Sequence, residues 1–87
     1  MEENTLLDYR NQLDSIDRTI IMLLNQRMSI SKEIGEYKAK YSLPVMDAQR
    51  ELKILDKVVN LSEQEYSAYV RNIYCSILAE SKNIQMR

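Results

Sequence analysis

Between residues 6 and 41 the apolar side chains recur at steps of three, four and seven: Leu6, Leu13, Ile16, Ile20, Leu23, Leu24, Ile30 and Ile34. That spacing marks one face of an α-helix. No proline and a single glycine, Gly35, lie between Thr5 and Lys40, and a lone glycine inside a helix costs only ~1 kcal/mol. The pattern predicts one unbroken helix over about residues 5–40, opened by Thr5 and Asp8 in a capping-box arrangement. Such a helix is about 54 Å long at 1.5 Å per residue. A compact chain of this length has a radius of gyration near ~12 Å and a diameter near ~30 Å. The helix overhangs its own domain, and its stripe calls for cover from another chain, most simply a second copy in a two-fold dimer.

The pattern breaks at Tyr41-Ser42-Leu43-Pro44, because proline disfavours a helical residue before it. A second helix over about residues 47–60 follows, with Leu52, Leu55, Val58 and Val59 on one face and Asp47 as its cap. Ser62 and Glu65 form an S-x-x-E capping box, and Leu61 with Tyr66 fits a hydrophobic staple. A third helix is therefore expected from Ser62 to about residue 84, with Tyr66, Tyr69, Val70, Ile73, Tyr74, Ile77, Leu78 and Ile84 as its apolar face. The expected fold is all-α, three helices in one domain spanning residues 1–87.

Two cations interrupt the first stripe. Arg27 has Leu23 and Leu24 one turn before it and Ile30 and Ile34 after it, so its guanidinium points toward surface that folding buries. Lys38 is 11 residues further on, a net rotation of only ~20° and a rise of ~16 Å. Both look at one strip of space. Either they reach water or a carboxylate of a packed neighbour, or they hold a small anion. On the second helix Asp47, Arg50 and Glu51 stand at i, i+3 and i+4, so one turn presents two acids and a base. Arginine forks, a lysine point charge and an acid that accepts from a hydroxyl suit a ligand with carboxylates and a hydroxyl.

Composition narrows the chemistry. The 87 residues are 45% hydrophobic and 29% charged, with net charge −1, five Met, six Tyr and neither Trp nor Phe. Acids and bases alternate without a basic run or a stacking aromatic set, which argues against nucleic acid. The residues Met1-Glu2-Glu3-Asn4 resemble no signal peptide and no stretch is long enough to span a membrane, so a cytoplasmic protein is expected. There is no histidine, which removes Ser–His and Cys–His activation and the commonest metal ligand. Cys75 is the one cysteine and reads as a small core residue. An enzyme built from this chain would bind and orient its substrate.

Four segments together resemble the all-helical class of chorismate mutase: Arg10-x-x-Leu13-x-x-Ile16-Asp17, Leu24-x-x-Arg27, Ile34-Gly35-x-x-Lys38, and Pro44-Val45-x-Asp47-x-x-Arg50-Glu51. The resemblance covers nearly the whole chain, and the last segment is its most specific part. It implies an interlaced homodimeric helical bundle with two identical sites, acting without metal or cofactor on chorismate. It further implies that Arg27 and Arg50 hold the substrate's carboxylates, and that Lys38 contacts a carboxylate and the ether oxygen. Asp47 and Glu51 would lie near the ring hydroxyl, Ser81 near a carboxylate, and Gln85 would donate to the ether oxygen. Arg10 would come from the other chain, which agrees with its distance of ~42 Å along the helix from Lys38.

The implied reaction is the rearrangement of chorismate to prephenate, in which one C–O bond breaks as a C–C bond forms. Orientation and donors to the ether oxygen suffice for an acceleration on the order of 10⁶-fold, or ~8 kcal/mol. Two other readings compete. An isochorismate-pyruvate lyase shares the fold and most of the cations, but that class tends to lack the two acids present here as Asp47 and Glu51. A non-catalytic helical dimerisation or effector-binding module explains the stripe but not Lys38 and Gln85 together.

Overall fold

The computed structural model describes residues 2–86 and is all-helical: α1 spans Glu2–Lys40, α2 Ala48–Leu61 and α3 Ser67–Gln85. The first helix runs unbroken as its periodicity predicts, but it is already formed at Glu2. Thr5 therefore lies a turn inside it, and the capping box expected of Thr5 and Asp8 does not open the helix. Its C-terminus closes in a Schellman turn: the Leu43 N–H donates to the Lys38 carbonyl (2.8 Å), and the Ser42 N–H to that of Ala39 (3.4 Å). Ser42 sits at the left-handed position of that turn with φ 55°. A non-glycine residue there costs roughly 1–2 kcal/mol, part of which glycine returns as greater freedom of the unfolded chain. Ser42→Gly is accordingly expected to stabilise the fold by about 0.5–1 kcal/mol, read as a higher midpoint in thermal or urea unfolding.

Asp47 caps α2 as its sequence position suggests, its Oδ1 accepting from the Arg50 N–H at 3.0 Å. The start of α3 differs from expectation. Ser62 closes α2 instead of opening α3: its N–H and its hydroxyl both donate to the Val58 carbonyl, at 3.0 and 2.6 Å. With that hydroxyl engaged backward it cannot cap forward. Residues 63–66 make a turn, with the Tyr66 N–H on the Glu63 carbonyl at 2.9 Å, and α3 begins only at Ser67. Leu61 and Tyr66, the expected staple, are both exposed.

The third helix is the hub, because both α1 and α2 pack against it. Its buried side carries Leu78 and Ser81, flanked by half-buried Val70, Tyr74 and Ile77. Cys75 is exposed rather than in the core, since one residue past Tyr74 is a rotation of ~100° off that side. Among the described residues the buried apolar core is only Val58 and Leu78. The chain measures 60 × 25 × 15 Å with a radius of gyration of 16.8 Å, well above the ~12 Å of a compact domain of this size. The N-terminal half of α1 accounts for the excess, with Leu13 57% and Ile16 53% exposed along its apolar face.

Candidate active site

Where α1, α2 and α3 meet, the fold leaves an open cleft of about 320 Å³. The first helix supplies Arg27, Ser31, Ile34 and Lys38, at steps of four, three and four along one face. The start of α2 supplies Asp47, Arg50, Glu51 and Ile54, and the end of α3 supplies Leu78, Ser81, Lys82 and Gln85. Seven residues expected from the sequence (Arg27, Lys38, Asp47, Arg50, Glu51, Ser81 and Gln85) thus line one cleft. Arg10 does not line it, consistent with its place in the exposed half of α1.

The cations on the stripe are half-buried, and each has a partner. The Arg27 guanidinium donates through Nη1 to the Ser81 hydroxyl. That hydroxyl also lies 2.9 Å from Ser31 Oγ, and both serines are buried, 4% and 6% exposed. Ser31 and Ser81 form a polar rung between α1 and α3 that fixes where Arg27 points. Lys38 donates to the Val45 carbonyl at 3.1 Å. The Schellman turn after Lys40 folds the chain back far enough to bring that carbonyl under the ammonium.

On the opposite wall Glu51 does not pair with neighbouring Arg50. Its Oε1 lies 3.2 Å from Lys82 Nζ on α3. Gln85 closes the end of the cleft, with its Oε1 buried and without a hydrogen-bond partner among the described residues. A buried amide oxygen left unsatisfied costs free energy, and here it belongs to a side chain that lines the cleft.

Gly35 determines whether Gln85 can be there. A Cβ on Gly35 would lie 2.6 Å from Gln85 Cα and 2.7 Å from its carbonyl oxygen, closer than non-bonded atoms approach. The backbones of α1 and α3 touch at this point because no side chain separates them. Sequence alone marked Gly35 as a tolerated helix glycine and a member of the Ile34-Gly35-x-x-Lys38 segment, with no packing role. Ser31 and Lys82 were also missed: a small polar residue on an apolar stripe gives no signal until its partner 50 residues away is known.

The cleft can therefore bind anionic groups at Arg27, Arg50 and Lys38 and accept from a hydroxyl at Glu51, and it is lined by both the Lys38 ammonium and the Gln85 amide. Among the described residues, no helix is long and apolar enough to cross a membrane.

Comparison with known proteins converges on one family. Residues 9–86 match the family described as chorismate mutase type II. A bifunctional chorismate mutase/prephenate dehydratase of Aquifex aeolicus is 41% identical over 66 residues, covering 76% of this chain and 18% of that protein. A chorismate mutase of Methanocaldococcus jannaschii is 32% identical over 59 residues, covering 68% of this chain and 60% of that one. A solved structure of a conserved hypothetical protein from Pyrococcus furiosus is 36% identical with a TM-score of 0.78, covering 93% of this chain and 95% of its own. The chain spans about a fifth of the length of the bifunctional relatives it matches.

Proposed function

We propose, because this chain belongs to the chorismate mutase type II family, that it catalyses the rearrangement of chorismate to prephenate in aromatic amino-acid biosynthesis. The observation that carries the reading is the single cleft gathering Arg27, Lys38 and Arg50 with Glu51 and Gln85. Arg27 and Arg50 hold the two carboxylates, which fixes the enolpyruvyl side chain over the ring and turns a rare conformer into the bound one. Glu51 and Asp47 read the ring hydroxyl, and Ser81 helps seat a carboxylate. Lys38 and the Gln85 amide donate to the ether oxygen as the C–O bond breaks and negative charge grows there. No proton is transferred and no covalent intermediate forms, in keeping with a chain that lacks histidine.

The working form is a homodimer in the cytoplasm, each copy a single three-helix module over residues 1–87. The apolar face of α1 around Leu13 and Ile16, exposed in one chain, is what a second copy covers. Arg10 then enters the second copy's cleft, since ~42 Å of helix separates it from Lys38 in its own chain.

The first test is to incubate the purified chain with chorismate and follow loss of its ultraviolet absorbance with prephenate as product. Release of pyruvate from isochorismate in a parallel incubation would favour the lyase reading, and no turnover of either substrate would sink both. The shared site has its own test. Arg10→Ala and Lys38→Ala chains are each expected to be nearly inactive, and an equal mixture should recover about a quarter of wild-type activity. Half the dimers are then mixed, and one of the two sites in each carries neither change. No recovery after demonstrated subunit exchange would show that Arg10 serves no second site.

A further inference from the structure

We propose that Lys82 is a positioning residue, whose ammonium holds the Glu51 carboxylate at the angle that lets it receive the substrate's ring hydroxyl. The inference rests on the chorismate mutase reading of the cleft. Lys82 lies between Ser81 and Gln85 on the last turns of α3 and lines the same cleft. Its Nζ is 3.2 Å from Glu51 Oε1 and 3.7 Å from Met46 Sδ, so it bridges α3 to the start of α2. The Lys82 and Glu51 side chains are 31% and 23% exposed, which leaves the pair at the mouth of the cleft rather than on open surface.

The two acids of the cleft are not equivalent. Asp47 is occupied in capping α2 through Oδ1, whereas the Glu51 carboxylate has Lys82 as its one partner among the described residues. One carboxylate oxygen is thus held by a cation and the other is left to accept. Lys82 also offsets the negative charge that Glu51 turns toward the cleft, where Arg27, Lys38 and Arg50 face Asp47 and Glu51. Without Lys82 the Glu51 carboxylate would face an incoming dianion with no neutralising partner beside it.

Because the ring hydroxyl is remote from the bonds that change, the contact acts on ground and transition states alike and should appear mainly in KM. Lys82→Met, which keeps the apolar stem, is expected to raise KM about fivefold with kcat changed by less than about twofold, a scale suited to a part-exposed ion pair. Lys82→Arg should restore most of the affinity. In a Glu51→Gln background Lys82→Met should add little, since the group it positions has lost its charge. Far-UV melting of each variant accompanies the kinetics. An unchanged KM in Lys82→Met would overturn the proposal, as would a fall confined to kcat. The same KM increase in the Glu51→Gln background would overturn it too, by showing that Lys82 touches substrate directly. Wild-type turnover of chorismate is measured first, so failure of the family reading is seen separately from failure of the role given to Lys82.

Discussion

Lys38→Ala is expected to lower kcat by about 10²- to 10³-fold, equivalent to about 2.7–4 kcal/mol, the range found when one donor to a developing oxyanion is removed. The reason lies in how Lys38 is held. Its ammonium is half-buried, donates to the Val45 carbonyl at 3.1 Å and shares the cleft with Gln85. It is therefore preorganised and does not have to reorient as the reaction proceeds. Charge on the ether oxygen exceeds its ground-state value only while the C–O bond breaks, so the loss should fall on kcat more than on KM. Steady-state kinetics with chorismate give the split. A change confined to KM would mean that the ammonium binds a carboxylate and takes no part in the transition state.

Gly35→Ala is expected to reduce kcat/KM about 100-fold, although alanine is the better helix former by ~1 kcal/mol. The added methyl would sit 2.6 Å from Gln85 Cα and 2.7 Å from its carbonyl oxygen, both of them backbone atoms that no rotamer change can move away. The last turn of α3 must shift outward by about 1 Å, a displacement that alone can cost ~10² in rate when it misplaces a reacting group. Gln85 moves with it, and so does the polar rung at Ser81. Thermal stability should fall far less than activity, since helix propensity partly offsets the strain. An alanine variant within threefold of wild type would show that the position of Gln85 does not govern the reaction.

These two residues also mark what the chain discloses before it folds. Lys38 was legible because its anomaly is local: a charge on an apolar stripe, at a rotation computable from helix geometry. The same holds for Arg27 and for the cap at Asp47, where the relevant neighbours are within four positions. The length of α1 was legible for a similar reason. Gly35, Ser31 and Lys82 were not, because their partners, Gln85, Ser81 and Glu51, are 31 to 50 residues away and only tertiary packing brings them close. The start of α3 failed differently. Ser62 has one hydroxyl and two adjacent helices that could use it, and the S-x-x-E pattern does not say that the Val58 carbonyl will take it first. The exposure of Cys75 likewise follows from where α1 and α2 dock on α3, which helix periodicity alone does not specify.

The sparse core makes the folding of this chain depend on its own abundance. Two buried apolar residues, Val58 and Leu78, cannot offset the ordering entropy of some 85 residues at about 1 kcal/mol or more for each. In the proposed dimer, helix formation, burial of the α1 stripe and completion of the cleft by Arg10 then form one linked equilibrium, with no stable folded half-way state. Dilution would act on it by mass action. Specific activity, ellipticity and unfolding temperature would decline together as chains separate, and a ligand bridging the two copies would draw them back into assembly at concentrations where the bare chains dissociate.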